Sequence, residues 1–263
     1  MKRESLVLAA AVFVTALASI VVGALVTAGP ARAAVSLYPD LRTMPPSELR
    51  FGLATIGGTT HNVLRFTNTV WNAGQGPLEL VGSLTAADTV QQRVYDDSGA
   101  FGTYAVGDNF TFHPSHNHWH FDDFADYQLW TKAEYDAWVA SGRSVGQARQ
   151  VGSKTTFCLM DTTRVQSLPG TPGQAVYSAC GRELQGISVG WGDSYRYSLP
   201  DQWIDLGDGT LADGTYVLRS VADPKNRLHE SAGRSDAGRE SELANEAITT
   251  FSVQRGRIKV PKR

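Results

Sequence analysis

The chain has 263 residues, of which 42% are hydrophobic and 19% are charged, with a formal net charge of −2. This apolar content suits one globular domain with a sizeable core and excludes an intrinsically disordered chain. The near-neutral charge lacks the basic excess of nucleic-acid-binding proteins, so no nucleic-acid partner is expected.

The N-terminus has the three parts of a secretory signal peptide. Lys2 and Arg3 precede an apolar run over residues 6–28, and an Ala-x-Ala site ends at Ala33. Residues 1–33 are therefore predicted to be a signal peptide cleaved after Ala33. Because the run approaches the ~20 residues that span a bilayer, an uncleaved membrane anchor stays open. Either way, residues 34–263 are expected outside the cell, with no other stable membrane partner.

Most periodic segments of residues 34–254 read as β-strands. Residues 63–71 (VLRFTNTVW) are β-branched and aromatic in near alternation, and Asn72-Ala73-Gly74 then interrupts them. Further short strands are predicted at residues 78–81, 89–95, 124–130, 155–159, 215–221 and 248–253. The sequence thus predicts a single all-β domain, β-sandwich-like, with long loops and one or two short helices.

The sequence also predicts one helix and a basic C-terminal tail. Thr131 and Glu134 form a capping box, Tyr135 and Trp138 have helical spacing, and Gly142 ends the helix. Residues 255–263 (RGRIKVPKR) are basic and are expected to form a frayed C-terminal tail.

Four of the six histidines lie within eight residues, in the stretch FHPSHNHWH. His116, His118 and His120 alternate with other residues, and an extended backbone sends alternate side chains to one face. Three converging imidazoles predict a copper or zinc site. On a straight strand the outer α-carbons would lie ~13 Å apart, so the segment must curl. A pH-sensitive or surface histidine strip is the alternative.

Only two cysteines occur, Cys158 and Cys180. An oxidising compartment favours a disulfide between them, and an even count permits it. Two free buried thiols are the alternative.

Several ordered segments resemble the lysyl oxidase family. FHPSHNHWHFDDF is similar to its copper-binding stretch, and LRFTNTVWNAGQGPLEL is similar to the strand leading toward that stretch. GSKTTFCLMDT resembles the segment with the family's cofactor lysine, and GDSYRYSLPDQWIDL the one with its cofactor tyrosine. GTYVLRSVADP and ESELANEAITTFSV also match in order and spacing. The likeness covers roughly residues 37–253.

The resemblance implies a cofactor, lysine tyrosylquinone, made by copper and oxygen from Lys154 and Tyr195. It also implies copper ligands at His116, His118 and His120, with His113 nearby. The implied reaction oxidises a primary amine, such as the side chain of a peptidyl lysine, to an aldehyde, with oxygen consumed and hydrogen peroxide and ammonia released. The spacing of Lys154 and Tyr195 alone indicates none of this.

The chain departs from the family pattern in three places. Ser115 and Arg164 replace cysteines that pair in vertebrate members with the counterparts of Cys180 and Cys158, so a Cys158–Cys180 bond is a hypothesis for this chain alone. Asp126 replaces a histidine discussed as a catalytic group. A carboxylate also serves as a base when its pKa is raised, so Asp126 becomes a catalytic candidate.

The expected function is that of an extracellular copper-dependent amine oxidase. Two alternatives use the same histidines, namely a non-catalytic secreted copper-binding protein and a zinc-dependent hydrolase. Neither alternative needs Lys154 or Tyr195, and the presence of both residues favours the oxidase.

Overall fold

The computed structural model describes residues 32–82, 89–114, 117–144, 146–152, 154–231 and 245–261. Within them the chain forms eighteen strands and one helix. In chain order these are β1 (Ser36–Leu37), β2 (Leu41–Thr43), β3 (Ser47–Ile56), β4 (Thr59–Asn72), β5 (Leu78–Val81), β6 (Val90–Asp96), β7 (Phe101–Gly107), β8 (Thr111–His113), β9 (His118–His120), β10 (Ala125–Thr131), α1 (Lys132–Ala140), β11 (Gln150–Val151), β12 (Thr163–Arg164), β13 (Leu184–Ile187), β14 (Trp191–Tyr195), β15 (Trp203–Gly207), β16 (Gly214–Ala222), β17 (Glu246–Gln254) and β18 (Arg257–Lys259).

The strands form three larger sheets and one small hairpin, so the all-β prediction is confirmed. One sheet has the order β1-β6-β5-β13, with β7 also pairing with β6. A second has the order β11-β10-β16-β17-β18. The third has the order β12-β14-β4-β15, and β2 and β3 also pair with β4. β8 and β9 pair only with each other among the described strands.

Large aromatic side chains pack between the second and third sheets. Phe66 on β4 and Tyr127 on β10 are fully buried, and their rings meet edge to face with centroids 4.7 Å apart. Tyr127 also contacts Phe157, at 6.3 Å between centroids. Full burial of one such side chain stabilises the fold by about 2 kcal/mol. The candidate site residues described below lie against this aromatic core.

Helix α1 agrees with its sequence signals. The Thr131 side chain accepts a hydrogen bond from the Glu134 backbone N–H, and the Glu134 carboxylate accepts one from the Thr131 N–H. Gly142 follows the helix with a φ of 68°, a left-handed conformation that glycine adopts without strain. The capping-box prediction is confirmed.

Two local predictions are wrong. Residues 155–159 form no strand, and Phe157 makes only an isolated bridge to Phe121. The reason is that the Cys158 N–H and C=O bond to the Tyr195 hydroxyl instead of to a neighbouring strand. The C-terminal tail is not frayed over Arg257–Lys259, because these residues pair as β18 with β17.

Among the described residues, no helix is both long enough and apolar enough to cross a membrane. Residues 1–31, which hold most of the predicted signal peptide, lie outside the described part of the chain.

Candidate active site

Strands β8 and β9 form an antiparallel hairpin in which His113 lies opposite His118. Residues that face each other across a ladder, and residues two apart on one strand, share a face of the sheet. His113, His118 and His120 therefore lie on the same face. The His120 ring centroid is 4.8 Å from that of His113 and 4.8 Å from that of His118. The hairpin thus gathers three imidazoles, which we call the histidine cluster.

The predicted ligand set of His116, His118 and His120 is only partly described. His116 lies outside the described residues. Asn117, directly before β9, has a φ of 56°, so the chain reverses direction here and brings His113 to the cluster. Among the described residues, no group of three His, Cys, Asp or Glu side chains is arranged as a preformed metal site.

The buried His120 side chain is oriented by a threonine of another segment. Its Nδ1 atom lies 2.9 Å from the Thr156 hydroxyl oxygen. Burial lowers the pKa of His118, and the positive charges of Lys154 and His113 lower it further. A lowered pKa favours the neutral imidazole, which is the form that binds a metal.

The segment that begins at Lys154 lies directly against the residues after β9. The Phe121 N–H donates to the Phe157 carbonyl at 2.7 Å, and the Phe157 N–H donates back to the Phe121 carbonyl at 3.0 Å. A third bond joins the Phe124 N–H to the Thr155 carbonyl at 2.9 Å. These backbone hydrogen bonds place Lys154 and Thr156 next to the histidine cluster.

Lys154 is buried against two aromatic rings. Its side chain is 4% exposed, and its Nζ atom lies 5.1 Å from the Tyr195 ring centroid and 5.2 Å from that of Phe157. Among the described residues, Nζ has no hydrogen-bond partner. Burial lowers the pKa of Lys154 to about 8, although the charges of Asp201 and Asp193 act to raise it. Much of this amine is therefore neutral, and nucleophilic, at mildly alkaline pH.

Tyr195 ends strand β14, which pairs with the long central strand β4. Its hydroxyl donates to the Cys158 carbonyl and accepts the Cys158 N–H, both at 3.0 Å. Its ring packs edge to face on Phe157, with centroids 4.6 Å apart. Burial also raises the pKa of Tyr195 well above its usual value. The ring is thus held in one orientation beside the Lys154 amine.

The disulfide between Cys158 and Cys180 is present, so the predicted pairing is confirmed and free thiols are excluded. Cys158 holds the Tyr195 hydroxyl through its backbone, and the Cys180 carbonyl accepts a hydrogen bond from Trp119 N–H on β9. The disulfide therefore connects the segment that holds the Tyr195 hydroxyl to the β8–β9 hairpin.

A pocket of about 380 Å³ opens beside these groups. Its polar lining comes from His118, Asp193 and Tyr195, with Thr162 and Ser194. Its apolar lining comes from Met160, Cys180, Leu199 and Pro200. A small molecule in this pocket would touch the tyrosine and one imidazole at the same time.

The structure does not bring Asp126 to this pocket. Asp126 precedes Tyr127 on β10, and alternate side chains of a strand point to opposite faces. Tyr127 faces the aromatic core, whereas Asp126 accepts a hydrogen bond from Gln128, which also binds Arg219. Asp193, which the sequence did not single out, lines the pocket instead. The sequence signal that could have identified Asp193 is its position two residues before Tyr195, because residues two apart on a strand share a face.

The family model "Lysyl oxidase" matches residues 90–241, more than half of the chain. The chain belongs to the lysyl oxidase family.

Individual relatives match a shorter part of the chain. Lysyl oxidase homolog 4 of Homo sapiens is 29% identical over 124 residues, which are 47% of this chain and 14% of that protein. Lysyl oxidase homolog 1 of Homo sapiens is 34% identical over 121 residues, 46% of this chain and 18% of the relative. Lysyl oxidase homolog 3B of Danio rerio is 31% identical over 123 residues, which are 47% of this chain and 13% of that protein. The matched segment thus spans less than a fifth of each relative.

Proposed function

We propose that this protein is a copper-dependent amine oxidase that converts primary amines, including the side chains of peptidyl lysines, to aldehydes. Oxygen is the co-substrate, and hydrogen peroxide and ammonia are the other products. The signal-peptide pattern over residues 1–33 supports action outside the cell.

The observation that carries the proposal is the position of Lys154 over Tyr195. The two residues are 41 positions apart, yet Nζ lies 5.1 Å from the ring centroid, with His118 on the wall of the same pocket. A buried lysine without a hydrogen-bond partner is costly, and such a group indicates a functional requirement. The amine and the ring that the cofactor would join are therefore neighbours in the fold.

The donor set also fits copper. Imidazole nitrogens are good copper ligands, and His113, His118 and His120 are adjacent. We propose His116, His118 and His120 as the ligands, with His113 as a neighbour or substitute. The Thr156 hydroxyl beside His120 is the kind of outer contact that orients a ligand imidazole. Lysine tyrosylquinone, once formed from Lys154 and Tyr195, would supply an electrophilic carbonyl and accept two electrons from the amine.

The protein's own residues supply position and shielding. The Cys158 backbone fixes the Tyr195 hydroxyl, and Phe157 supports both the Tyr195 ring and the Lys154 amine. Met160, Leu199 and Pro200 give the pocket apolar walls that exclude water from the amine's carbon chain.

The test is to purify the mature chain with copper, measure its metal content, and titrate it with phenylhydrazine, which reacts with quinone carbonyls. We expect a visible adduct, amine-dependent peroxide that phenylhydrazine abolishes, and one cross-linked peptide containing Lys154 and Tyr195 by mass spectrometry.

Two variants and one matched control sharpen this test. Lys154→Met and Tyr195→Phe should each lose the adduct, the cross-link and the peroxide, with activity reduced below detection. Tyr197→Phe should keep all three, because Tyr197 packs under Arg50 and does not line the pocket. Peroxide that survives Lys154→Met would contradict the proposal. A copper-loaded protein without adduct would instead indicate a copper-binding protein, and zinc-dependent ester hydrolysis would indicate a hydrolase.

A further inference from the structure

Asp193 is a buried carboxylate with one unused oxygen. Its side chain is 3% exposed and lines the pocket. The Oδ1 atom lies 3.4 Å from the Thr162 hydroxyl, whereas Oδ2 is buried and has no hydrogen-bond partner among the described residues. Buried carboxylate oxygens almost always have a donor in a folded protein. The orphaned oxygen therefore indicates that the pocket lacks a donor that a ligand could bring.

Among the described residues, Lys154 is the cation whose charge acts on this carboxylate. Burial raises the pKa of Asp193 well above its usual value, and the charge of Asp161 also acts to raise it, whereas hydrogen bonds from the Thr162 side chain and the Met160 backbone and the charge of Lys154 act to lower it. Tyr195 and Tyr127 also face Asp193, as neutral phenols. The charge of Asp201 acts on Lys154.

Cross-linking would remove this cation. The Lys154 nitrogen would become part of the aromatic cofactor and would no longer be an alkylammonium. Asp193 would then remain on the pocket wall next to Tyr195, without the one cation that acts on it among the described residues. A carboxylate in that position attracts a second primary ammonium group, and primary amines in water at neutral pH are ammonium ions.

We propose that Asp193 is the amine-receiving carboxylate of this pocket, binding the ammonium group of the substrate at Oδ2 and taking one of its protons. In this transfer an N–H bond of the ammonium breaks, the proton moves to Oδ2, and the lone pair remains on the amine nitrogen. The ion pair becomes two neutral groups, which a low-dielectric pocket favours. The amine is then nucleophilic. This inference rests on the proposed function and assigns its substrate-binding residue.

The pocket walls also define the substrate class. Met160, Leu199 and Pro200 surround the space next to Asp193 with apolar surface. The matching ligand is an ammonium group at the end of an unbranched alkyl chain. Lys154 is itself such a group, and before cross-linking its charge acts on Asp193.

The binding test uses the full chain without copper, so that no cofactor is formed. Lys154→Ala removes the propylammonium part of the lysine side chain, and n-propylammonium is the probe, measured by calorimetry or NMR titration. We expect saturable binding to Lys154→Ala, and binding at least about tenfold weaker to Lys154→Ala/Asp193→Asn, because the carboxylate that receives the ammonium group and accepts its proton is lost. Propan-1-ol should bind both proteins equally.

Asp205→Asn in the Lys154→Ala background is the matched control, because Asp205 pairs with His61 and does not line the pocket. It should bind n-propylammonium within twofold of Lys154→Ala. Equal affinity of the Asp193 and Asp205 variants, or no saturable binding to Lys154→Ala, would overturn the inference. Circular dichroism of each variant checks folding, and Asp193→Glu, which keeps the carboxylate, should restore part of the affinity.

The two proposals fail separately. If the wild-type protein makes no quinone but Lys154→Ala binds n-propylammonium through Asp193, the oxidase function is wrong and the amine pocket stands. If the wild-type protein oxidises amines but Asp193→Asn has no effect on binding, the function stands and the assignment of Asp193 is wrong.

Discussion

Glu79 and Asp193 are both buried carboxylates, and their surroundings differ in one decisive respect. Glu79 accepts hydrogen bonds from Arg93 at 3.0 Å, Tyr95 at 2.7 Å and Tyr177 at 2.8 Å, so both of its oxygens are used. Among the described residues, Asp193 has a carboxylate oxygen with no hydrogen-bond donor, and Lys154 has an amine with no acceptor.

This difference distinguishes a buried carboxylate that stabilises the fold from one that serves the chemistry of the site. A satisfied buried charge stabilises the sheet around it, and removing one partner leaves the others without compensation. An unsatisfied buried charge destabilises the fold and persists where chemistry requires it. The Glu79 cluster, meaning Glu79, Arg93, Tyr95 and Tyr177, should therefore control stability, and Lys154 and the pocket that Asp193 lines should control activity.

The largest expected stability effect is at the Glu79 cluster. Glu79→Gln removes the charge that Arg93 and the two tyrosine hydroxyls share, and it should destabilise the fold by about 3 kcal/mol. Urea unfolding of the copper-free protein measures this, with Asp136→Asn on the exposed face of α1 as the control. Amine oxidation per folded molecule should not change. A loss of activity without a loss of stability would reverse the roles assigned to the two regions.

A smaller effect of opposite sign is expected at Lys154. Lowering its pKa from 10.5 to about 8 on folding corresponds to a cost of roughly 3 kcal/mol at pH 7. Lys154→Met keeps most of the apolar stem and removes the charge, so the copper-free variant should gain about 2 kcal/mol after local relaxation. The same urea experiment detects the gain. A destabilised Lys154→Met protein would show that this lysine contributes to the fold.

The smallest effect is a pH dependence specific to Lys154. Between pH 8 and 10.5 the unfolded chain holds a proton on this amine that the folded chain has lost, so stability rises with pH. Between pH 8 and 9.5 the copper-free wild type should gain about 1.5 kcal/mol relative to Lys154→Met. The subtraction cancels other titrating groups, and pH values above 10 are avoided because tyrosines ionise there. Parallel pH profiles would indicate an ordinary, solvated lysine.

Local sequence signals predicted α1 and several of the strands. The Thr131–Glu134 capping box predicted α1, and the alternating residues 63–71 lie within β4. β3 was not predicted, because it pairs along one side of β4 and most of its side chains are exposed or half-buried, which leaves little hydrophobic alternation. Residues 155–159 were predicted as a strand because they are β-branched and apolar. The prediction failed because the Tyr195 hydroxyl, on another strand, bonds to the Cys158 N–H and C=O that strand pairing would need.

The candidate site divides in the same way. The sequence identified Lys154, Tyr195, His118 and His120 through segments that resemble a family, and those residues do converge. The sequence named Asp126 as a catalytic candidate and did not single out Asp193, because an alignment position carries no information about which face of a strand a side chain occupies.

The sequence by itself determined the composition of the domain, its β-rich local propensities, the helix cap and the supply of cysteines and histidines. These depend on contacts between residues a few positions apart, or on residue chemistry alone. Only the tertiary structure decided that His113 joins His118 and His120, that Lys154 lies over Tyr195, and that Asp193 rather than Asp126 reaches the pocket. Those pairings depend on strand register and on the packing of separate sheets, which join residues distant in the chain.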